Sequence, residues 1–235
     1  EPLAITDCLN FGDPDRPDIY YQLKECIRGM AHACRRLGIP VISGNVSLYN
    51  ETRGQAIYPT PVIGIVGLLD DVSKRCNSGF KREGDIVYVL GGLPSATSGL
   101  AGSEYLELVH GKVCGRPYLD MALEAGVQKA CREAIKQGLL HSAHDCSDGG
   151  LAVALSESAI AGGIGMRGEK LPSEVRRDVA LFGEAPSRIV VSLPPNKLHD
   201  LESIAAGYGA TLRRLGVVGG DRLIQNLTMS RRRKL

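Results

Sequence analysis

The sequence predicts an α/β fold built from two successive regions. Short β-branched runs such as 62–68 are typical of buried strands. Segments such as 19–37 carry apolar residues three and four positions apart, the spacing of one helical face. Because strands and helices alternate along the chain, we expect sheets covered by helices. A polar, turn-rich stretch at 70–81 separates the two regions.

The first region, 1–72, has the elements of only part of an α/β domain. An apolar strand is predicted at 3–9 and a second at 39–43, with a helix between them that ends at Gly38, a typical C-terminal cap. The run 62–68 predicts a third strand. The apolar face of the helix is formed by Ile19, Leu23, Ile27, Met30, Cys34 and Leu37.

The second region, 80–222, has enough strands and helices for a complete domain. Residues after 222 end in a run of arginines and a lysine, which predicts a solvated basic tail at 223–235. The predicted strands are 85–92, 187–193 and 210–218, and the predicted helices are 119–135, 151–161 and 195–206.

Charge and cysteine content exclude several classes of protein. The net charge is +2, from 28 basic and 26 acidic residues, so no strong field favours nucleic acid or a membrane surface. Seven scattered cysteines are an odd number and do not suggest a disulfide framework, which predicts a reducing, cytoplasmic setting. No apolar run approaches the ~18 residues of a membrane span. The start at Glu1, without methionine and directly before a strand, suggests a fragment.

Polar side chains at two predicted strand ends form the main candidate site. Asp7 lies at the end of the first strand, and Gly44, Asn45 and Ser47 follow the second. Ligands of α/β proteins commonly bind beyond strand ends, and an acid with an amide suits Mg²⁺ and substrate phosphates. Polar turns, with Asp7 as a turn-capping acid, would explain the same residues.

The loop 144–150 is a second candidate. Ser147 or Asp148 could cap the helix that follows, while free N–H groups beside two glycines would suit a phosphate. Asp145 is not needed for capping, so it remains a candidate ligand of a metal or nucleotide.

Three well-known sequence motifs for ligand or metal binding are not supported by this sequence. The stretch 163–168 matches a dinucleotide fingerprint but follows a predicted helix instead of a strand, so we expect a helix exit. A Walker-type phosphate loop is absent from the sequence. His141, His144 and Cys146 lack the second spaced pair that a zinc site requires.

Several ordered strings stand out along the chain, namely Thr-Asp-Cys-Leu-Asn-Phe-Gly at 6–12, Ser-Gly-Asn-Val-Ser-Leu-Tyr-Asn-Glu at 43–51, Gly-Ser-Glu-Tyr-Leu at 102–106 with His-Gly-Lys at 110–112, and His-Asp-Cys-Ser-Asp-Gly-Gly-Leu at 144–151. These four strings resemble the second half of the phosphoribosylformylglycinamidine synthase family, in its smaller multi-subunit form. That resemblance extends from residue 1 to about residue 220. It implies a partial N-terminal domain of the aminoimidazole ribonucleotide synthetase type, followed by the C-terminal α/β sandwich domain of the same superfamily.

The resemblance implies part of an ATP-dependent ligase of purine biosynthesis. Asp7 and Gly44 would contact ATP, Asn45 would coordinate Mg²⁺, and Ser47 would contact formylglycinamide ribonucleotide. Asp145 would belong to an auxiliary metal or nucleotide site. The catalytic histidine is expected in the N-terminal half that this chain lacks, so the fragment alone should be inactive.

Partners implied by the resemblance are the glutamine amidotransferase subunit, a small accessory subunit and the chain's own N-terminal half. Because the first region has too few strands to close a sheet, we also expect the fragment to form a homodimer. The alternative is a non-catalytic, nucleotide-binding half that serves stability and subunit assembly.

Overall fold

A computed structural model describes residues 1–94, 99–169 and 175–225. It divides into two compact units, Glu1–Val72 and Ser73–Leu235. The first unit contains β1 (Pro2–Asn10), α1 (Pro17–Leu37), β2 (Val41–Ser47), β3 (Glu51–Thr52), β4 (Gln55–Ala56) and β5 (Thr60–Gly67).

A three-stranded sheet in the order β2-β1-β5 forms the first unit. Strand β1 is central, parallel to β2 and antiparallel to β5. Helix α1 covers one face, where Leu9 and Phe11 pack against Ile19. The helix ends at Gly38, whose left-handed φ of 71° suits a residue without a side chain. Most residues of the two edge strands, β2 and β5, are exposed.

The second unit is a mixed sheet between two layers of helices. Its elements are β6 (Ile86–Leu90), α2 (Glu104–His110), α3 (Met121–Lys136), β7 (Ser142–Asp145), α4 (Gly150–Gly162), β8 (Met166–Gly168), α5 (Arg177–Phe182), β9 (Ile189–Leu193), α6 (Leu198–Gly207), β10 (Leu212–Val218) and β11 (Leu223–Gln225). The strand order is β11-β8-β10-β6-β9-β7. Only β11 and β8 pair in parallel among these neighbours.

Every residue of β6 is buried, because both faces of this strand are covered. Side chains alternate between the two faces of a strand. Ile86, Tyr88 and Leu90 pack into the core beneath α3 and α6, whereas Val87 and Val89 pack into the core beneath α4. The apolar run of residues 86–90 has no polar interruption because β6 is a central strand with a core on each face.

Predicted and observed elements agree for the long, strongly patterned segments. The structure adds α2, α5 and the short strands β7, β8 and β11, which sequence patterning does not reveal. The predicted tail at 223–235 needs correction, because β11 (Leu223–Gln225) extends the sheet by pairing with β8. The remainder of that tail, 226–235, lies outside the described residues. None of the described helices combines the length and apolar character needed to cross a membrane.

Candidate functional site

Parallel pairing of β1 and β2 brings the main candidate residues together. Asp7 is paired with Gly44, Cys8 with Asn45, and Asn10 with Ser47. These residues lie within the two strands, so the prediction that they follow the strand ends is wrong. Strand β2 tolerates the polar residues because it is an edge strand exposed almost throughout. A turn-capping role for Asp7 is also excluded by its place in the middle of β1.

Gly44 provides the space that the Asp7 carboxylate occupies. A Cβ atom built on Gly44 would lie 1.8 Å from Asp7 Oδ1 and 2.9 Å from Asp7 Cγ. Asp7 shares its face of β1 with Leu9, which packs beneath α1. The half-buried carboxylate therefore lies over β2, on the face of the sheet that carries the helix.

The opposite face carries a row of hydrogen-bonded neutral groups. Ser43 Oγ donates to Thr6 Oγ1 at 2.8 Å, and Cys8 Sγ donates to Asn45 Oδ1 at 3.0 Å. Asn10 Nδ2 lies 3.5 Å from Cys8 Sγ and 3.3 Å from the Cys8 carbonyl oxygen. These contacts place the Asn45 amide on the face away from α1.

Asp7 and Asn45 consequently point to opposite faces of the sheet. Mg²⁺ binds oxygen at about 2.1 Å, so two oxygens on one ion lie within about 4.2 Å of each other. Side chains that leave neighbouring strands in opposite directions cannot meet this limit while the strands remain paired. The idea that Asp7 and Asn45 jointly hold one magnesium ion is therefore wrong.

The Asn45 face suits magnesium only as a partial ligand set. Oδ1 of Asn45 and the nearby hydroxyls of Thr6 and Ser43 are oxygen donors, the type that Mg²⁺ prefers. A single protein oxygen is acceptable where substrate phosphates and waters supply the others. In the described part of the chain, no group of three His, Cys, Asp or Glu residues is arranged to hold a metal by itself.

Ser47 lies at the end of β2, and its hydroxyl is already engaged. Asn50 Nδ2 donates to Ser47 Oγ and to the Ser47 carbonyl oxygen, both at 3.0 Å, and to the Phe11 carbonyl oxygen at 3.1 Å. This side chain bridges the ends of β1 and β2. The hydroxyl of Ser47 is thus held in one orientation beside the strand end.

The second candidate, Asp145, is the last residue of strand β7. Its side chain is 73% exposed and accepts a short hydrogen bond from Ser147 Oγ. That hydrogen bond is the main reason why the pKa of Asp145 is lowered, with a smaller contribution from the neighbouring His144. His144 Nε2 in turn lies 3.0 Å from Glu157 Oε2. The carboxylate is therefore ionised and open to solvent.

Capping by Ser147 or Asp148 does not occur at the start of α4. The N-cap is Gly149, which has no side chain to cap the helix, and the Ser147 hydroxyl donates to Asp145. Instead, Glu184 Oε1 accepts the N–H groups of Gly149 at 2.8 Å and Glu104 at 3.0 Å. A carboxylate from the protein itself thus accepts one of the N–H groups that would have suited a phosphate.

Arg188 is 4% exposed and contacts the same loop through its carbonyl oxygen, which accepts the N–H of Cys146 at 3.0 Å. It donates through Nη2 to the Gly183 carbonyl oxygen and through Nε to the Ala185 carbonyl oxygen at 3.0 Å. Burial lowers the pKa of its guanidinium, and the nearby Glu184 carboxylate opposes that change.

Sequence reasoning missed three residues at these sites, namely Cys8, Glu184 and Arg188. Cys8 could have been found by aligning the two parallel strands, because it is the residue opposite Asn45. Glu184 and Arg188 carry no local signal, since their partners lie far away in sequence.

Two family models together match almost the whole chain. Residues 1–69 match the N-terminal domain of AIR synthase related proteins, and residues 82–225 match the C-terminal domain. The order of the two matches agrees with the resemblance inferred from the four strings.

Curated relatives include the phosphoribosylformylglycinamidine synthase subunit PurL of Anaeromyxobacter sp. (strain Fw109-5). It is 52% identical over 233 residues, which cover 95% of this chain and 30% of the relative. The same subunit of Synechococcus sp. (strain JA-3-3Ab) is 52% identical over 222 residues, covering 94% and 29%. This chain therefore spans about a third of the length of these relatives.

Among solved structures, Thermotoga maritima PurL in complex with FGAR matches with a TM-score of 0.74 at 20% identity. The match covers 96% of this chain and 38% of that one. This likeness concerns the fold.

Proposed function

Because the chain belongs to the family of AIR synthase related proteins, we propose that it forms part of a phosphoribosylformylglycinamidine synthase. The complete enzyme would convert formylglycinamide ribonucleotide, ammonia from glutamine and ATP into formylglycinamidine ribonucleotide, ADP and phosphate. The observation that carries this proposal is the in-register pairing of β1 with β2, which brings four candidate residues onto two adjacent strands. The 52% identity to PurL relatives supports the same reaction.

In the proposed reaction, the γ-phosphoryl group of ATP is transferred to the amide oxygen of the substrate. Ammonia then attacks the activated carbon, and phosphate leaves with that oxygen, which yields the amidine. Little covalent chemistry is required of the protein, so positioning and charge stabilisation dominate. We assign positioning to this chain and place the catalytic histidine outside it.

Each face of the β1–β2 pair would have its own task. Asp7 and Gly44 would contact ATP on the face that carries α1, where the carboxylate lies over the glycine. Asn45 would offer Oδ1 to magnesium on the other face, and Ser47 would contact the substrate from the strand end. Because β2 is an edge strand, the triphosphate of ATP would pass around that edge to reach magnesium on Asn45, which would neutralise phosphate charge and polarise the transferred group. The proposed site would thus extend along β1 and β2 to the end of β2 at Ser47.

Asp145 is proposed as the ligand of an auxiliary cation or nucleotide. Its exposure and its lowered pKa support this role, because they keep an ionised carboxylate available to solvent. The carboxylate of Glu184 already accepts the N–H group of Gly149, the N-cap of α4, so any phosphate there would have to bind elsewhere on the loop.

The proposed partners are a glutamine amidotransferase subunit, a small accessory subunit and the remainder of the synthetase polypeptide. Solved relatives include a structure described as PurLQS from Thermotoga maritima, a complex of several subunits. All seven cysteines are free thiols, which supports a reducing, cytoplasmic setting. In isolation, this chain is proposed to form a homodimer.

Reconstitution tests the proposal. The 235-residue chain alone should form neither ADP nor amidine, and activity should return when the remaining part of the synthetase is supplied in trans. Activity of the chain alone would contradict the proposal that the catalytic histidine lies outside it. Assembly with ATP binding but without turnover would instead favour the non-catalytic scaffolding role.

A variant of Asp7 tests whether this residue contributes to ATP binding in the reconstituted enzyme. In the reconstituted enzyme, Asp7→Asn should weaken ATP binding about tenfold or more, because a charge-assisted hydrogen bond contributes roughly 1.5–3 kcal/mol. Asp70→Asn, an exposed residue beyond β5, is the matched control and should leave the affinity unchanged. Equal affinities by calorimetry would remove Asp7 from the nucleotide site.

A further inference from the structure

We propose that Cys8 is a positioning residue that orients the side-chain amide of Asn45 toward its ligand. The inference rests on the proposed function, since it concerns the residue assigned to magnesium there. Cys8 itself would touch neither metal nor nucleotide.

Geometry identifies the partner of the Asn45 amide. Cys8 and Asn45 are directly paired across the parallel strands, and Cys8 Sγ lies 3.0 Å from Asn45 Oδ1. The thiol is itself held in place, because Asn10 Nδ2 contacts both its sulfur and its carbonyl oxygen. Three side chains in neighbouring positions on one sheet face thus form a short chain of contacts that ends at Oδ1.

Orientation is important because the two ends of an asparagine amide differ chemically. Oδ1 accepts hydrogen bonds or binds a cation, whereas Nδ2 only donates. On an exposed strand the amide would otherwise rotate between these two presentations. A donor beside Oδ1 selects the orientation in which the oxygen faces β1 and the nitrogen faces away from it.

A thiol is suited to this task because it is a weak donor. An ammonium group at the same place would compete much more strongly with a cation for the oxygen. The contact to Cys8 therefore keeps Oδ1 oriented before binding and yields readily when a divalent cation approaches. The cost of ordering the amide is met during folding instead of during binding.

The first measurement concerns the amide itself and needs no activity. In ¹⁵N-labelled chain, the Asn45 side-chain NH₂ signals should show restricted motion in the wild type and in Cys8→Ser, which keeps a donor. Cys8→Ala should release the amide and lower its heteronuclear NOE. Cys114→Ala, at an exposed thiol of the second unit, is the matched control and should have no effect. An equally ordered amide in Cys8→Ala would overturn the proposal.

The second measurement concerns the metal. In the reconstituted enzyme, Cys8→Ala should raise the Mg²⁺ concentration for half-maximal ATP binding about three- to tenfold, the range expected for one weak hydrogen bond. Cys8→Ser should remain within about twofold of the wild type, and metal-free ATP binding should not change. An unchanged Mg²⁺ requirement in Cys8→Ala would overturn this inference alone. A wild-type enzyme whose ATP binding ignores Mg²⁺ would overturn the magnesium role of Asn45 as well.

Discussion

At the scale of single residues, the site depends on one missing side chain. Gly44 has no Cβ, and the space that a Cβ would occupy contains the carboxylate of its strand neighbour Asp7. The glycine is therefore needed for packing within the protein, whatever its contact with a nucleotide. The family resemblance implied that Gly44 contacts ATP, and the structure supplies this additional reason for a glycine.

Substitution of Gly44 tests that reason. Gly44→Ala should destabilise the chain by about 1–3 kcal/mol, because the new methyl group collides with the Asp7 carboxylate and forces it to move. Urea unfolding measures the change. Gly29→Ala is the control, since nothing lies within 4 Å of its Cβ position in α1, and it should be neutral or slightly stabilising.

The double variant Asp7→Ala/Gly44→Ala provides the decisive comparison. If the collision is the cause, removal of the carboxylate should recover most of the stability lost in Gly44→Ala. Additive losses in the double variant would show that the glycine is needed for another reason.

A hydrogen bond from Ser147 is the main cause of the lowered pKa of Asp145. Because this bond lowers the folded-state pKa of Asp145, its stabilising effect is present above the unfolded pKa and is lost as pH falls through the folded value. Ser147→Ala should therefore raise the Asp145 pKa toward its ordinary value, and the stability difference from wild type should shrink as the pH falls below about 4 and vanish below the lowered folded-state pKa.

Carboxyl ¹³C chemical shifts measured against pH give the Asp145 value directly. Ser156→Ala is a suitable control, because that hydroxyl donates to a helix carbonyl within α4 and does not contact Asp145. An Asp145 titration that is identical in Ser147→Ala and wild type would contradict the assignment.

At the scale of elements, Glu184 links two helices that are distant in sequence. Its Oε1 accepts the N–H groups at the starts of α2 and α4, where the helix dipole favours a negative charge. Patterning missed α2 although Ser103 caps it, and at the start of α4 it left capping by Ser147 or Asp148 and phosphate binding open as alternatives. The link explains why α4 begins without a capping side chain from its own loop.

Removal of this carboxylate should loosen both helix starts. Glu184→Ala should lower the free energy of unfolding by about 1.5–3 kcal/mol, the usual value of hydrogen bonds to a charged group. Glu202→Ala, at an exposed position on α6, is the control and should change stability little. Hydrogen exchange at Gly149 and Glu104 should accelerate together in Glu184→Ala, and protection that persists at both amides would refute the link.

At the scale of the whole molecule, the first unit exposes much apolar sheet surface. Ile65 is 62% exposed, Val66 60% and Val46 57%, and these residues lie on the two edge strands β5 and β2. Apolar surfaces and free strand edges of this kind associate readily. The second unit, in contrast, encloses a core on each side of its sheet.

We therefore expect the isolated chain to dimerise or aggregate through residues 1–70. Val66→Lys should shift the distribution toward monomer in light scattering at micromolar concentration, because a charged edge opposes strand pairing. Leu108→Lys, at a 79% exposed position of the second unit, is the matched control and should leave it unchanged. A clean wild-type monomer, or a dimer that persists without residues 1–70, would contradict this expectation.

Local patterns predicted a large part of this molecule. Apolar spacing located α1, α3, α4 and α6, and β-branched runs located the long strands, because those signals arise from the elements themselves. The rejected fingerprint at 163–168 is confirmed as a helix exit, since Gly163 caps α4 and β8 follows. Short elements such as β8 and β11 were missed because pairing with neighbours, not their own three residues, stabilises them.

The sequence by itself determined the α/β class, the family and the chemical types at the candidate site, because ordered strings and side-chain periodicity are properties of the chain. Only the tertiary structure decided which groups meet. Strand register placed Asp7 and Asn45 on opposite faces and put Cys8 beside the amide, although all three were visible in the sequence. The tertiary structure likewise brought the Glu184 carboxylate to the N–H group of Gly149 in the second unit. The physical reason is that a strand alternates its side chains strictly, so a partner is defined only when the neighbouring strand is in register.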